Sequence, residues 1–169
     1  MKKNWFVRVG LVLFLMLSVV SCGTTQSAAE RQLAEEELRV AIQGFDFVFK
    51  ADYAYPSGYR GLYLSPGYDV DVSQEEVKVH LPYFGQSHTA PMNMRGGGIQ
   101  FESNDFQYDV RQGKKADNWL VDIRVKDKGN EYYLYFDIWE NGRTSLNVSD
   151  TRRQSISFSG TSEVKKKEE

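Results

Sequence analysis

The clearest chemistry in the chain stands at positions 19–22, where Val19, Val20 and Ser21 lead into Cys22. An aliphatic residue three places before a cysteine, with a small residue directly before it, is the pattern of the bacterial lipobox. In that pathway the Cys22 thiol is alkylated with diacylglycerol, a peptidase cuts between Ser21 and Cys22, and the freed amine is often acylated as well. Two or three acyl chains hold a protein firmly to a membrane, whereas one is marginal. Cys22 is the only cysteine, so one chain can build neither a disulfide framework nor a thiolate metal cluster. Lipidation supplies a reason for a lone cysteine in an exported protein.

The other reactive residue types are sparse. His80 and His88 are the only histidines, and with Glu75, Glu76 or a nearby aspartate they have the donor types of a metal site. His80, however, alternates with Val79 and Leu81, which directs it away from the core. Ser87 beside His88 lacks an orienting acid at a recognisable spacing and a nucleophile elbow. Gly96 to Gly98 after Arg95 precede an alternating segment rather than a helix, without the lysine-hydroxyl pair of a phosphate loop. The basic pairs Lys114-Lys115 and Arg152-Arg153 and the run Lys165 to Lys167 carry no interleaved aromatics for stacking bases. No cofactor is expected.

The elements that must position these residues begin with an export segment, 1–21. Lys2, Lys3 and Arg8 give a basic start, and the apolar run from Val9 to Val20 is shorter than the ~20 residues a membrane-spanning helix needs. Its removal takes three positive charges from a chain of formal charge −2. The mature chain is therefore acidic, which disfavours nucleic acid as a partner. Residues 22–27 read as the lipidated cysteine and a polar tether. A capping box, Ser27 with Glu30, opens a helix over 28–43, carried by Ala34, Leu38, Ala41 and Ile42 at helical spacing, and Gly44 stands where a C-terminal cap would. The thin apolar stripe predicts a helix on the outside or end of the domain.

From Phe45 the period changes to two. Apolar residues alternate through Phe45, Phe47, Phe49 and Ala51, and the rhythm returns in Tyr68 to Val72, Val77 to Leu81, Ile99 with Phe101 and Phe106 to Val110. It continues through Trp119 to Val125, Tyr132 to Ile138, Leu146 with Val148 and Ile156 with Phe158. Lys78, His80, Asp122, Arg124 and Asp137 fall on the opposite side. Nine or ten short strands predict one antiparallel meander, and a meander this long leaves two vulnerable edges unless it closes. The expected fold is mainly β: a closed, lipocalin-like barrel over 44–162 with one N-terminal helix, ending in a charged, disordered tail, 163–169. At Asn141-Gly142 a three-residue loop, Glu140 to Gly142 with Gly142 left-handed, is expected to set Ile138 opposite Leu146 and Phe136 opposite Val148.

Five segments taken together resemble a known family: FDFVFKA (45–51), LPYFG (81–85), GGIQF (97–101), ENGRTSLNV (140–148) and RQSISFSG (153–160). It is the family of uncharacterised bacterial lipoproteins catalogued as domain of unknown function 4251. The resemblance implies a barrel of lipocalin-like fold behind a lipoprotein signal, and it brings no catalytic or binding residues with it.

The expected role is that of a non-enzymatic envelope lipoprotein that binds a partner protein or a small apolar ligand. An acidic run directly after the cysteine, which sends some lipoproteins to the cell surface, is missing from Gly23 to Ala29, so a periplasm-facing place on the outer membrane is expected. Tyr83 and Phe84, after the strand that Pro82 ends, are the candidate binding surface; they can also plug the barrel end. An envelope hydrolase using His80 or His88 with carboxylates, and a purely structural lipoprotein, are the alternatives.

Overall fold

The computed structural model describes residues 28–58, 60–84, 98–115 and 117–165. Ser21, Cys22, the Ser27 cap, Ser87, His88, Gly96 and Gly97 lie outside the described residues. The chain divides into two units, 1–31 and 32–169, and the second holds every described strand.

A single described helix, α1, runs Ala28–Gln43, and no helix among the described residues is long and apolar enough to cross a membrane. Its buried side chains are Leu38, Ala41 and Ile42, while Leu33, Ala34 and Val40 are exposed. Only its C-terminal half therefore belongs to the core, and Ala34 does not join the expected stripe. The helix closes with paired bonds, Asp46 N–H to Ala41 O and Phe45 N–H to Ile42 O, the Schellman arrangement. The expected glycine cap is displaced by one residue: Gly44 stands at the last half-helical position, and Phe45 (φ 58°) takes the left-handed place. Phe45 is consequently in a turn, not on the strand the alternation assigned it to. Its ring lies 3.8 Å from that of Tyr108, a contact that offsets the backbone cost of a left-handed phenylalanine.

Ten strands follow among the described residues: β1 Phe47–Pro56, β2 Leu62–Tyr63, β3 Asp69–Val72, β4 Val77–Leu81, β5 Ile99–Ser103, β6 Phe106–Gln112, β7 Asn118–Asp127, β8 Asn130–Trp139, β9 Arg143–Asp150 and β10 Ile156–Val164. Every pairing is antiparallel, in the order β5-β4-β3-β1-β10-β9-β8-β7-β6, with the two-residue β2 beside β1. The two ends of this order, β5 and β6, are consecutive in the chain and separated only by Asn104 and Asp105. One bent segment thus pairs β4 with its first half and β7 with its second. Across that seam the Ser103 hydroxyl donates to Lys126 O (2.6 Å), Lys126 N–H donates to Asp105 O (2.9 Å), and the Phe101 ring stacks on Tyr132 at 4.3 Å. The sheet is a nearly closed barrel, which leaves little of either edge free for another chain.

The inward faces meet in one core. Phe47 and Phe49 approach Phe136 edge-on, with centroids 5.7 and 5.9 Å apart, a favoured aromatic geometry. Phe47, Phe49, Leu81, Leu134, Leu146 and Phe158 have no accessible surface at all, so no void wide enough for water borders them. Truncating one such phenylalanine removes about 3–5 kcal/mol. A bulge between Ala51 and Tyr53 shifts the inward set of β1 from Phe47, Phe49 and Ala51 to Ala54 and Pro56.

Two expectations are corrected here. The loop Glu140 to Gly142 forms with Gly142 at φ 81°, but Ile138 faces Thr144 and Phe136 faces Leu146. A three-residue loop pairs the residues that flank it, Trp139 and Arg143, and that fixes the rest of the register. Thr144 is a polar residue turned inward, and its hydroxyl lies 2.7 Å from that of buried Ser162 and 3.0 Å from Gly142 O. The second correction concerns the tail: β10 runs on to Val164, which pairs with Phe47, and Lys165 bonds Asp71 and lies 3.8 Å from Asp46. Pairing with the start of β1 orders residues 163–165, and 166–169 lie outside the described residues.

Candidate functional site

At the end of the barrel away from α1, the chain leaves β4 through Pro82 into Tyr83 and Phe84. The structure treats the two aromatics differently. Tyr83 is half-buried and packed against the core; its hydroxyl donates to Gln154 O (3.2 Å) and the Arg153 guanidinium lies over its ring at 5.1 Å. Burial holds its phenol above the ordinary tyrosine value. Arg153 also donates to Gly98 O (3.1 Å), and the Asp150 carboxylate accepts the N–H groups of Arg152 (2.6 Å) and Arg153 (2.7 Å). Tyr83 is thereby pinned across the barrel end, in the geometry of a plug. Phe84 is 38% exposed, so of the pair it alone presents a large apolar surface to solvent.

His80 stands on the outer face of β4, as the alternation predicts, opposite Asp69 and Gln100 on the neighbouring strands. Its ring is 5.4 Å from that of Tyr68, and no ion pair joins it to a carboxylate among the described residues. No group of three or more His, Cys, Asp or Glu side chains that could hold a metal occurs among the described residues. The basic pairs separate likewise: Lys115 lies over the Trp139 ring at 4.8 Å, and Arg153 is committed to the barrel end.

One outward-facing feature spans five strands. The cross-strand register aligns Tyr135 on β8, Asn147 on β9, Ser157 on β10 and Tyr55 on β1 in one row. A second row runs from Asp137 on β8 through Ser145, Ser159 and Tyr53 to Tyr63 on β2. Tyr133 and Ser149 form the start of a third. Apart from Asp137, ten outward positions on five strands thus carry hydroxyls, an amide and five phenol rings, and no formal charge. Tyr63 is 87% exposed, and Tyr55 and Tyr135 are about half exposed.

Local bonds fix this face. Asn147 Nδ2 donates to Ser157 Oγ (2.9 Å), and the Tyr55 and Ser159 hydroxyls lie 3.4 Å apart. The Tyr53 ring lies 4.7 Å from that of Tyr55 and meets Tyr63 edge-on at 4.8 Å. Tyr133 and Tyr135 are nearly parallel, with 9° between their planes. Charges gather at the margins: Arg124 bonds Glu131, which also accepts from the Tyr133 hydroxyl, and these two donors hold the Glu131 carboxyl below its usual range. Arg143 and the Lys50–Glu163 pair stand at the far side, and Asp137, at one corner, accepts from Asn118. Each strand alone shows only its own tyrosines or its own serines, and nothing in one strand shows that the rows coincide.

Comparison with protein families matches residues 29–162 to a model described as a domain of unknown function, DUF4251. Comparison with curated proteins finds no match. Among solved structures, the chain is similar to a DUF4251 family protein from Bacteroides eggerthii DSM 20697, with TM-score 0.62 and 12% identity over 78% of this chain and 88% of that one. At that identity the likeness is one of fold.

Proposed function

This chain belongs to the DUF4251 family, and from that premise we propose that it is a lipid-anchored envelope lipoprotein that binds a partner with the outside of its barrel and catalyses no reaction. The observation that carries the reading is the packed core among the described residues. Phe47, Phe49, Leu134 and Phe158 expose no surface, whereas a carrier of small apolar ligands would need a cavity of several hundred Å³. Recognition then falls to the exterior, where the uncharged tyrosine face and Phe84 offer contact area.

The anchor follows from Val19 to Cys22, with the folded domain held to the membrane through the lipid on Cys22. A periplasm-facing position on the outer membrane fits the residues after Cys22. The test is crosslinking of the lipidated full-length protein in intact cells, with photoreactive residues placed outward at Tyr135 or inward at Leu134. Crosslinks from position 135 alone are expected. Efficient capture of a small molecule from position 134 would overturn the reading.

A further inference from the structure

We propose that the outer face of β8, β9, β10 and β1 binds a neutral carbohydrate chain. The inference rests on the reading that the barrel works through its exterior, and it names the chemical class of what is bound.

In this chain 26% of residues are charged, and other outward faces follow that rule, with Asp109, Arg111, Asp122 and Arg124 on β6 and β7. The ten positions centred on Asn147 and Ser157 carry no formal charge, and the charges nearest them, Asp137 opposite Ser145 and Asp52 and Arg143 beside the second row, stand at their border. A protein partner of ordinary composition, or an acidic polymer, would gain from charges here. A neutral sugar would not, because a charge desolvated against it without a counter-ion costs free energy.

The face is not apolar: between its phenol rings lie four serines, Ser145, Ser149, Ser157 and Ser159, and Asn147. A sugar ring presents an apolar face of C–H groups and a rim of hydroxyls that both donate and accept. Tyrosine rings match the first, and serine hydroxyls with an asparagine amide match the second, since each can also donate and accept.

Tyr135 and Tyr55 stand three strand spacings apart, about 14 Å, with Asn147 and Ser157 between them, a span suited to a short oligosaccharide laid across the strands. Beside the second row the surface dips into an open groove of about 430 Å³ lined by Trp139, Ser145, Ser159 and Gly160, with Asp52 and Arg143 as the charged residues on its border. The platform is held in place before any ligand arrives: the Tyr53 ring occupies the space that a side chain at position 61 would need, so Gly61 keeps it seated beside Tyr55 and Tyr63. Preorganised rings lose less conformational freedom on binding.

The test uses full-length lipidated protein in nanodiscs, titrated calorimetrically with neutral hexasaccharides (cellohexaose, maltohexaose, chitohexaose and mannohexaose) and with an oligogalacturonate as the acidic control. At least one neutral hexasaccharide should bind, and the acidic one should not. Tyr135→Ala and Tyr55→Ala should each weaken binding tenfold or more, whereas Tyr135→Phe, which keeps the ring, should stay within threefold. Circular dichroism on each variant separates loss of the face from loss of the fold. Absence of binding across the neutral panel, equal binding of the acidic oligomer, or indifference to both alanine variants would each overturn the proposal. A protein crosslinked through position 135 by a chain that binds no neutral sugar would overturn it while leaving exterior binding intact; loss of both would remove both readings.

Discussion

The Tyr108 hydroxyl on β6 donates to the Ile42 carbonyl at the end of α1, 2.7 Å away. It thereby ties the last turn of the helix to a strand that forms one side of the barrel seam, and the same ring supports the left-handed Phe45. Helix cap and sheet closure share this one side chain.

That sharing makes stability depend on alkaline pH. Burial raises the Tyr108 phenol well above its ordinary value of 10.0, because a phenolate there would be poorly solvated. The unfolded chain ionises near the ordinary value and the folded one later, so the contribution is full below about pH 10 and is lost as pH rises toward the folded value. Urea midpoints measured from pH 8 to 11 should fall above pH 10, and less steeply in Tyr108→Phe. At pH 8 that variant should lose about 1 kcal/mol, since Ile42 O keeps the Phe45 N–H. A parallel fall in both proteins would reject the assignment to Tyr108.

Two glycines of matching conformation separate backbone strain from crowding. Gly142 (φ 81°) would place a Cβ 2.8 Å from Ser162 O, whereas Gly129 (φ 78°) has nothing within 4 Å. Gly129→Ala should cost about 1 kcal/mol from strain alone. Gly142→Ala should cost clearly more, and Gly142→Val more again. Equal midpoint shifts in chemical denaturation for the two alanine variants would show that β10 yields to the added methyl.

Thr144 and Ser162 form a buried hydroxyl pair, 2.7 Å apart. Thr144→Val should cost about 1–3 kcal/mol by stranding Ser162, whereas Thr144→Val with Ser162→Ala should recover part of that loss, because both partners of the bond are then gone. A double-mutant cycle with no coupling would show that water satisfies Ser162.

Cys22→Ser should abolish incorporation of a tagged fatty acid and leave the precursor uncut ahead of position 22. Mass spectrometry of the membrane fraction reads both. Labelling that persists in the variant would remove the anchor from the proposed function.

The sequence by itself determined what is local. Alternation at period two marked nine of the strands, because inward and outward positions follow from backbone pleating. The helix over 28–43 followed from period 3.6, and Gly142 from the steric demand of a left-handed turn. Strand β2 escaped because two residues cannot show a period, and Phe45 was misplaced because its ring continues the strand rhythm while its backbone caps a helix.

Tertiary structure alone decided what depends on neighbours. Alternation could require closure without showing where it occurs; one bent segment, β5 with β6, completes the barrel through the Ser103–Lys126 bond across residues distant in the chain. Nor could the sequence separate Tyr83 from Phe84, since the difference is Arg153, seventy positions on. The uncharged face has the same origin. Each strand contributes one to three neutral residues to it, and only the register that sets Asn147 beside Ser157 and Ser157 beside Tyr55 makes them one surface.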